Sequence, residues 1–211
     1  RGYVGHLSKY TLSEEQKRAK ELILQKPFNF LIGQAGSGKT LLAVQIALDM
    51  LFKRKVNKIV ITRPTVSTED NGFLPGSEKE KMEPWLVPIK SNIRKVYNKP
   101  EILTKLEENE SLELVSLTHF RGRTFEDCVC IVDEFQNLTK AQLQMCVGRL
   151  GKNATMIFTG DAHQIDLKFK NDSAIHDISK LDKSEWVNKI VLHDNHRHES
   201  LNEILRLLNE Y

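Results

Sequence analysis

The sequence predicts a three-layer α/β fold with a mostly parallel central sheet, and three observations carry that prediction. Short β-branched or apolar runs recur at Phe28–Ile32, Lys58–Thr62, Leu112–Leu117, Val129–Val132, Thr155–Thr159 and Asn188–Leu192, with helical patterns between them. The runs do not alternate apolar with polar residues, the mark of strands buried on both faces between helices. The first of them leads straight into a glycine-rich turn and then the apolar stretch Leu41–Leu51, a strand–turn–helix unit.

That turn is Gly33-Gln34-Ala35-Gly36-Ser37-Gly38-Lys39-Thr40, the P-loop pattern in its required context. Its glycines let the backbone curl so that successive N–H groups face a phosphate, and the following helix adds the positive end of its dipole. Lys39 is placed to neutralise β- and γ-oxygens and Thr40 to ligate Mg²⁺, so Gln34 to Leu41 form the expected contact with a nucleoside triphosphate.

The second strand is followed by an insertion, Pro64 to Ser111, containing Gly72 and Pro75 and then a helix expected to break at Pro84 and Pro88. Its basic residues (Lys90, Arg94, Lys95, Lys99) and the acidic ones toward and just past its end (Glu101, Glu107, Glu108, Glu110, Glu113) read as solvated helical faces. Lacking repeats or an interdomain linker, residues 1–211 read as one domain.

Val129-Cys130-Ile131-Val132 ends in Asp133 and Glu134, which puts two carboxylates at the carboxyl edge of the sheet, where open α/β folds bind ligands. Asp133 is expected in the Mg²⁺ shell, and Glu134 is suited to orient and deprotonate an attacking water. A general base favours hydrolysis over transfer to a bound hydroxyl. Guanine recognition would need Asn-Lys-x-Asp; the nearest approach, Asn98-Lys99-Pro100-Glu101, ends in the wrong acid. ATP hydrolysis is the stronger reading.

Bulk properties agree and exclude little. The 211 residues are 40% hydrophobic and 28% charged, ordinary for a globular protein, and the net charge of +3 is a weak hint of a phosphate-bearing partner. Cys128, Cys130 and Cys146 lack the spacing of zinc or redox motifs and read as reduced, buried thiols. His193, His196 and His198 surround Arg197 without partner carboxylates or thiols, so no metal is expected there. No apolar run reaches bilayer length and the first ten residues lack a signal-peptide core, so a soluble, cytoplasmic protein is expected. The chain opens with Arg1, not methionine, and its length is a lower bound.

Taken with Ile61-Thr62-Arg63-Pro64, Gly72-Phe73-Leu74-Pro75-Gly76, Arg121-Gly122-Arg123-Thr124, Val132-Asp133-Glu134-Phe135-Gln136-Asn137 and Gly160-Asp161-Ala162-His163-Gln164-Ile165-Asp166-Leu167, the P-loop makes the chain resemble the PhoH-like family. The core of that family is similar to the first RecA-like domain of superfamily-one helicases, and the match runs from about Thr11 to Arg197.

The resemblance implies a role for each matching residue. Gln16 would read the adenine edge, although Ser13-x-x-Gln16 is equally a capping box that starts a helix. Gln164, after Gly160-Asp161, would contact the attacking water or the γ-phosphate, and Arg197, in Asn195-His196-Arg197, would act as an arginine finger in cis. Thr62, Arg63 and Pro64 would grip single-stranded nucleic acid through its phosphates without reading bases. Arg121 and Arg123, on a loop opened by Gly122, would bind such phosphates or serve a neighbouring subunit.

Fourteen residues follow Arg197, with no room for a second RecA-like domain. The resemblance therefore implies a ring homo-oligomer, such as a hexamer, in which Arg121, Arg123 or Arg149 reaches a neighbour's ATP. Single-stranded RNA and DNA are both candidate partners. Two other functions stay open: an ATP-dependent switch holding a protein partner such as a nuclease, and a phosphate-starvation accessory with no nucleic-acid role.

Overall fold

The computed structural model describes residues 11–66, 78–97, 99–194 and 198–209. The block Gly72-Phe73-Leu74-Pro75-Gly76 and the candidate finger Arg197 lie outside the described residues. Among those described, β1 (Phe28–Gly33), β2 (Lys58–Thr62), β3 (Leu112–Leu114), β4 (Cys128–Val132), β5 (Ala154–Gly160) and β6 (Val187–Leu192) form one sheet in the order β3-β2-β4-β5-β1-β6. Every pairing is parallel, so all six strands end at the same edge. That edge collects Gly33, Thr62, Val132, Gly160 and Leu192, and with them the segments singled out from the sequence.

Alternation along the strands divides the core between two faces. Leu31, Ile59, Ile61, Ile131 and Ile157 pack beneath α1 (Glu14–Ile23), α2 (Lys39–Phe52), α3 (Glu78–Val96) and α4 (Pro100–Glu108). Phe30, Val60, Cys130 and Phe158 point the other way, toward α5 (Leu117–Phe120), α6 (Lys140–Val147) and α7 (Ile178–Leu181). On that face Phe30 stacks on Phe158 with ring centroids 4.6 Å apart. α2, the helix behind the P-loop, is buried along nearly its whole length, which fixes the loop to the middle of the sheet. α8 (Glu199–Asn209) closes the described chain with Leu201, Ile204, Leu207 and Leu208 exposed.

Two expectations need correction. The insertion helix does not break at Pro84 or Pro88: α3 runs through both for 19 residues. An interior proline costs about 3 kcal/mol, and burial of Ile89, Ile93 and Val96 in the core over α2 offsets it. The third strand ends at Leu114 and not Leu117, because Ser116 caps α5, its Oγ accepting from the His119 N–H at 3.3 Å. The remaining strands fall within one residue of their expected ends.

Candidate nucleotide-hydrolysing site

The turn after β1 is shaped by its glycines. Gly36 and Gly38 have φ of 88° and 77°, a region side chains resist, and Gly38 caps α2 without a side-chain hydrogen bond. A Cβ on Gly33 would fall on Ser37 Oγ. Ser37 is 3% exposed, and its Oγ has no hydrogen-bond partner among the described residues. A buried orphan hydroxyl inside a backbone cradle fits a ligand that brings its own acceptors. Lys39 is buried beside it. A cleft of about 270 Å³ opens from this loop toward Asp161, His163, Leu192 and Asp194.

Asp133 stands opposite, fully buried. Its Oδ1 accepts from Thr40 Oγ1 at 3.1 Å and from Thr159 Oγ1 at 2.5 Å. The two residues expected to hold Mg²⁺, Thr40 and Asp133, are thus in direct contact and present hard oxygen donors, the set that cation takes. Asp133 Oδ2 accepts from Arg63 Nη2 at 2.7 Å and Nε at 3.2 Å.

Glu134 follows in the left-handed region, φ 56° and ψ 42°, a conformation that costs a non-glycine residue roughly 1 kcal/mol. Burial raises its carboxyl pKa and neighbouring Asp133 adds to the rise, while the Gln136 hydrogen bond, Arg63 and Lys39 oppose it.

Gln136, whose role is not evident from the sequence, is the hub of the site. Fully buried, its Nε2 donates to Glu134 Oε2 at 2.5 Å and to the Gln164 carbonyl at 3.2 Å, while its Oε1 accepts from the Asp161 N–H at 3.2 Å. Its own carbonyl accepts from Ser173 Oγ at 2.5 Å. Any side chain at Gly160 would come within 2.7 Å of the Phe135 ring and Gln136 Oε1, so glycine there lets the loop after β5 close on the hub. Asn137 and Asp166 tie the same loop a second time. The sequence signal for this hub was the amide two residues after Glu134, and for Thr159 the hydroxyl just ahead of Gly160-Asp161.

Several expected contacts are elsewhere. Gln16 is buried and engaged in the capping box: Ser13 N–H donates to its Oε1 at 3.0 Å, and its own N–H donates to Ser13 Oγ at 3.2 Å. The adjacent Glu15 instead reaches across the molecule, accepting from the His193 and Asp194 N–H groups at 2.9 and 3.1 Å and fixing the end of β6. Thr62 and Pro64 are buried, with β2 lying between β3 and β4, so neither presents an exposed side chain to a phosphate. Arg63 is turned onto Asp133. Arg123 is held by Glu113 at 2.8 and 3.3 Å and lies over the Phe125 ring; Glu113, expected on a solvated helical face, instead sits on β3, where parallel pairing with β2 brings it to Lys58 as well. Arg121 is exposed, as is Gln164, and Arg149 is half-buried with its Nε lacking a partner among the described residues.

Comparison with known proteins supplies the context. A family model described as PhoH-like protein matches residues 10–209. A PhoH-like protein of Mycobacterium leprae (strain TN) is 36% identical over 200 residues, covering 93% of this chain and 57% of that protein. The protein PhoH of Escherichia coli (strain K12) is 35% identical over 185 residues, 83% of this chain and 50% of its own length. The chain therefore spans about half the length of these relatives. Among solved structures, the large terminase from a thermophilic bacteriophage aligns with a TM-score of 0.57 at 11% identity, covering 96% of this chain and 51% of that one. The DUF1998 helicase MrfA bound to DNA aligns at 0.51 and 13%, covering 95% and 32%. At those identities the likeness is one of fold, the RecA-like α/β arrangement. No described helix is long and apolar enough to cross a membrane.

Proposed function

The chain belongs to the PhoH-like family, whose P-loop fold supports nucleotide hydrolysis, and from that premise we propose that it is a Mg²⁺-dependent ATPase acting with single-stranded nucleic acid. The observation that carries the proposal is the 3.1 Å contact between Thr40 Oγ1 and Asp133 Oδ1, which joins the phosphate cradle to the acidic strand end. In this reading the backbone from Gln34 to Leu41, the N-terminus of α2 and Lys39 bind the phosphates. Thr40 and Asp133 would hold Mg²⁺, which when bound neutralises charge on the β- and γ-oxygens.

Glu134 orients a water for attack on the γ-phosphorus. The water oxygen forms the new P–O bond, the bond to the β-phosphate oxygen breaks, ADP leaves, and the water proton passes to the Glu134 carboxylate. A carboxyl pKa raised by burial makes Glu134 a better proton acceptor than an exposed glutamate. Gln136 holds that carboxylate at 2.5 Å and binds the loop carrying Gln164, so base and γ-phosphate sensor move as one unit.

Support for a nucleic-acid partner is narrower. It comes from the fold shared with a helicase described as bound to DNA and from exposed Arg121. Arg121 and Arg149 are the remaining candidates for a finger supplied in trans within a ring homo-oligomer, Arg123 being committed to Glu113. The decisive experiment measures phosphate release from ATP with Mg²⁺, alone and with oligo(U) or oligo(dT), across a salt series. Turnover lost in Lys39→Ala and raised by either polymer is expected. Absence of turnover overturns the ATPase reading, and turnover indifferent to both polymers overturns the nucleic-acid partner. Sedimentation with and without ATP tests the ring, which a monomer under all conditions would exclude.

A further inference from the structure

The Asp133 carboxylate has two oxygens in different hands. Oδ1 is held by two hydroxyls from its own walls, Thr40 Oγ1 and Thr159 Oγ1. Oδ2 is held by a cation, the guanidinium of Arg63, through Nη2 at 2.7 Å and Nε at 3.2 Å. Asp133 is 0% exposed and the Arg63 side chain 31%, so the guanidinium stands between the carboxylate and solvent at the edge where the P-loop opens. A buried carboxylate without a counter-charge is strongly disfavoured, and Arg63 supplies one. A divalent ion drawn to Asp133 would bring a second, larger positive charge against that guanidinium, and the two repel at this range.

We propose that Arg63 is the resident counter-ion of the metal-binding carboxylate: a positioning residue that holds Asp133 in the nucleotide-free chain and leaves Oδ2 when a divalent cation enters with nucleotide. The inference rests on the ATPase reading above and deepens it. Metal binding is then an exchange of one cation for another, weaker than the bare donor set would give. Arrival of metal and departure of Arg63 are coupled, and the coupling is reciprocal.

The test titrates Mn²⁺ into the protein with ADP, reading unbound Mn²⁺ by electron paramagnetic resonance against ADP alone. Melting temperatures with and without Mg²⁺ and ADP are measured in parallel. Arg63→Gln is expected to melt lower without ligand, to bind Mn²⁺ about five- to tenfold more tightly than wild type, and to gain a larger melting shift from Mg²⁺ and ADP. Arg63→Lys, which keeps the charge but loses the two-nitrogen grip, is expected to bind Mn²⁺ with intermediate affinity. An arginine that merely braces the fold would leave Mn²⁺ affinity unchanged or weaken it, and either result in Arg63→Gln overturns the proposal. If Arg63→Gln gives no folded circular-dichroism spectrum, Arg63→Lys decides, and affinity equal to or below wild type overturns it. Wild type that takes up no Mn²⁺ beyond ADP alone overturns the ATPase reading along with it, whereas equal uptake by all three proteins overturns the role of Arg63 alone.

Discussion

The centre of the sheet and its β2–β3 flank use charged residues in opposite ways. At the centre, the ends of β1, β4 and β5 bring Thr40, Asp133, Thr159, Glu134 and Gln136 into a network whose members come from separate stretches of chain. Ser37 there keeps a buried hydroxyl with no partner among the described residues, and Glu134 keeps a strained backbone and a raised pKa. At the flank, Lys58 and Arg123 both bond Glu113 and lower its pKa, although the buried Thr62 hydroxyl, like that of Ser37, has no partner among the described residues. The acid at the centre is thus held against its charge and the acid at the flank is stabilised in it. Unsatisfied groups cost stability and persist where a ligand completes them.

Breaking the central network at its base should have the largest effect. Glu134→Gln is expected to keep nucleotide binding and lose about 10²- to 10⁴-fold in turnover, the range for a missing general base. It should also raise the melting temperature of the nucleotide-free protein at neutral pH. Because the folded pKa of Glu134 is raised, ionising it costs the folded state stability as pH climbs from the ordinary glutamate value, about 4.3, through the folded one. The stability gain of the variant should therefore vanish at acid pH. A variant that melts lower than wild type at neutral pH would show that the site stores no such strain.

Gln136→Leu tests the hub itself. It leaves the Asp161 N–H and the Gln164 carbonyl without their buried partner, a loss of about 1–3 kcal/mol, and lets the base wander. Misplacement of that size is expected to lower kcat by roughly 10- to 100-fold with a smaller change in KM for ATP. Steady-state kinetics separates this from a binding defect. Gly160→Ala drives a methyl into Phe135 and Gln136 Oε1 and should destabilise by about 1–3 kcal/mol in denaturant melts.

The same contrast explains what could be read from the residues in order. The six strands and the P-loop were readable because their signals are local: runs of apolar residues and a glycine turn whose function lies in its backbone. Asp133 and Glu134 were readable because strand ends in a parallel sheet share one edge. Arg63 and Arg123 were not, since a long charged side chain is placed by whichever acid topology brings near it. Asp133 lies 70 residues and Glu113 10 residues away in sequence from these arginines. Pro84 and Pro88 misled for a related reason: their local cost is offset by tertiary packing of Ile89 and Ile93, which local sequence does not report.

The smallest effects sharpen the flank side of the comparison. Arg121 is exposed, whereas Arg123 is committed to Glu113, so their alanine variants should part ways. Arg121→Ala is expected to lower the salt slope of oligonucleotide binding by about one, measured by fluorescence anisotropy across salt, with no change in melting. Arg123→Ala should leave that slope alone and cost about 0.2–1 kcal/mol of stability. The cost has a pH signature. Hydrogen bonding from Arg123 is the main reason the Glu113 pKa is lowered, so the pair's contribution is complete above the ordinary glutamate range and lost as pH falls through the folded value. Arg123→Ala and wild type should thus converge in melting temperature toward acid pH, the reverse of a repulsive cluster of basic residues, whose relief would persist there. A salt slope that falls for Arg123→Ala instead would mean that nucleic acid outcompetes Glu113 for the guanidinium, and the flank would then resemble the centre, its ion pair a resting state and not an end point.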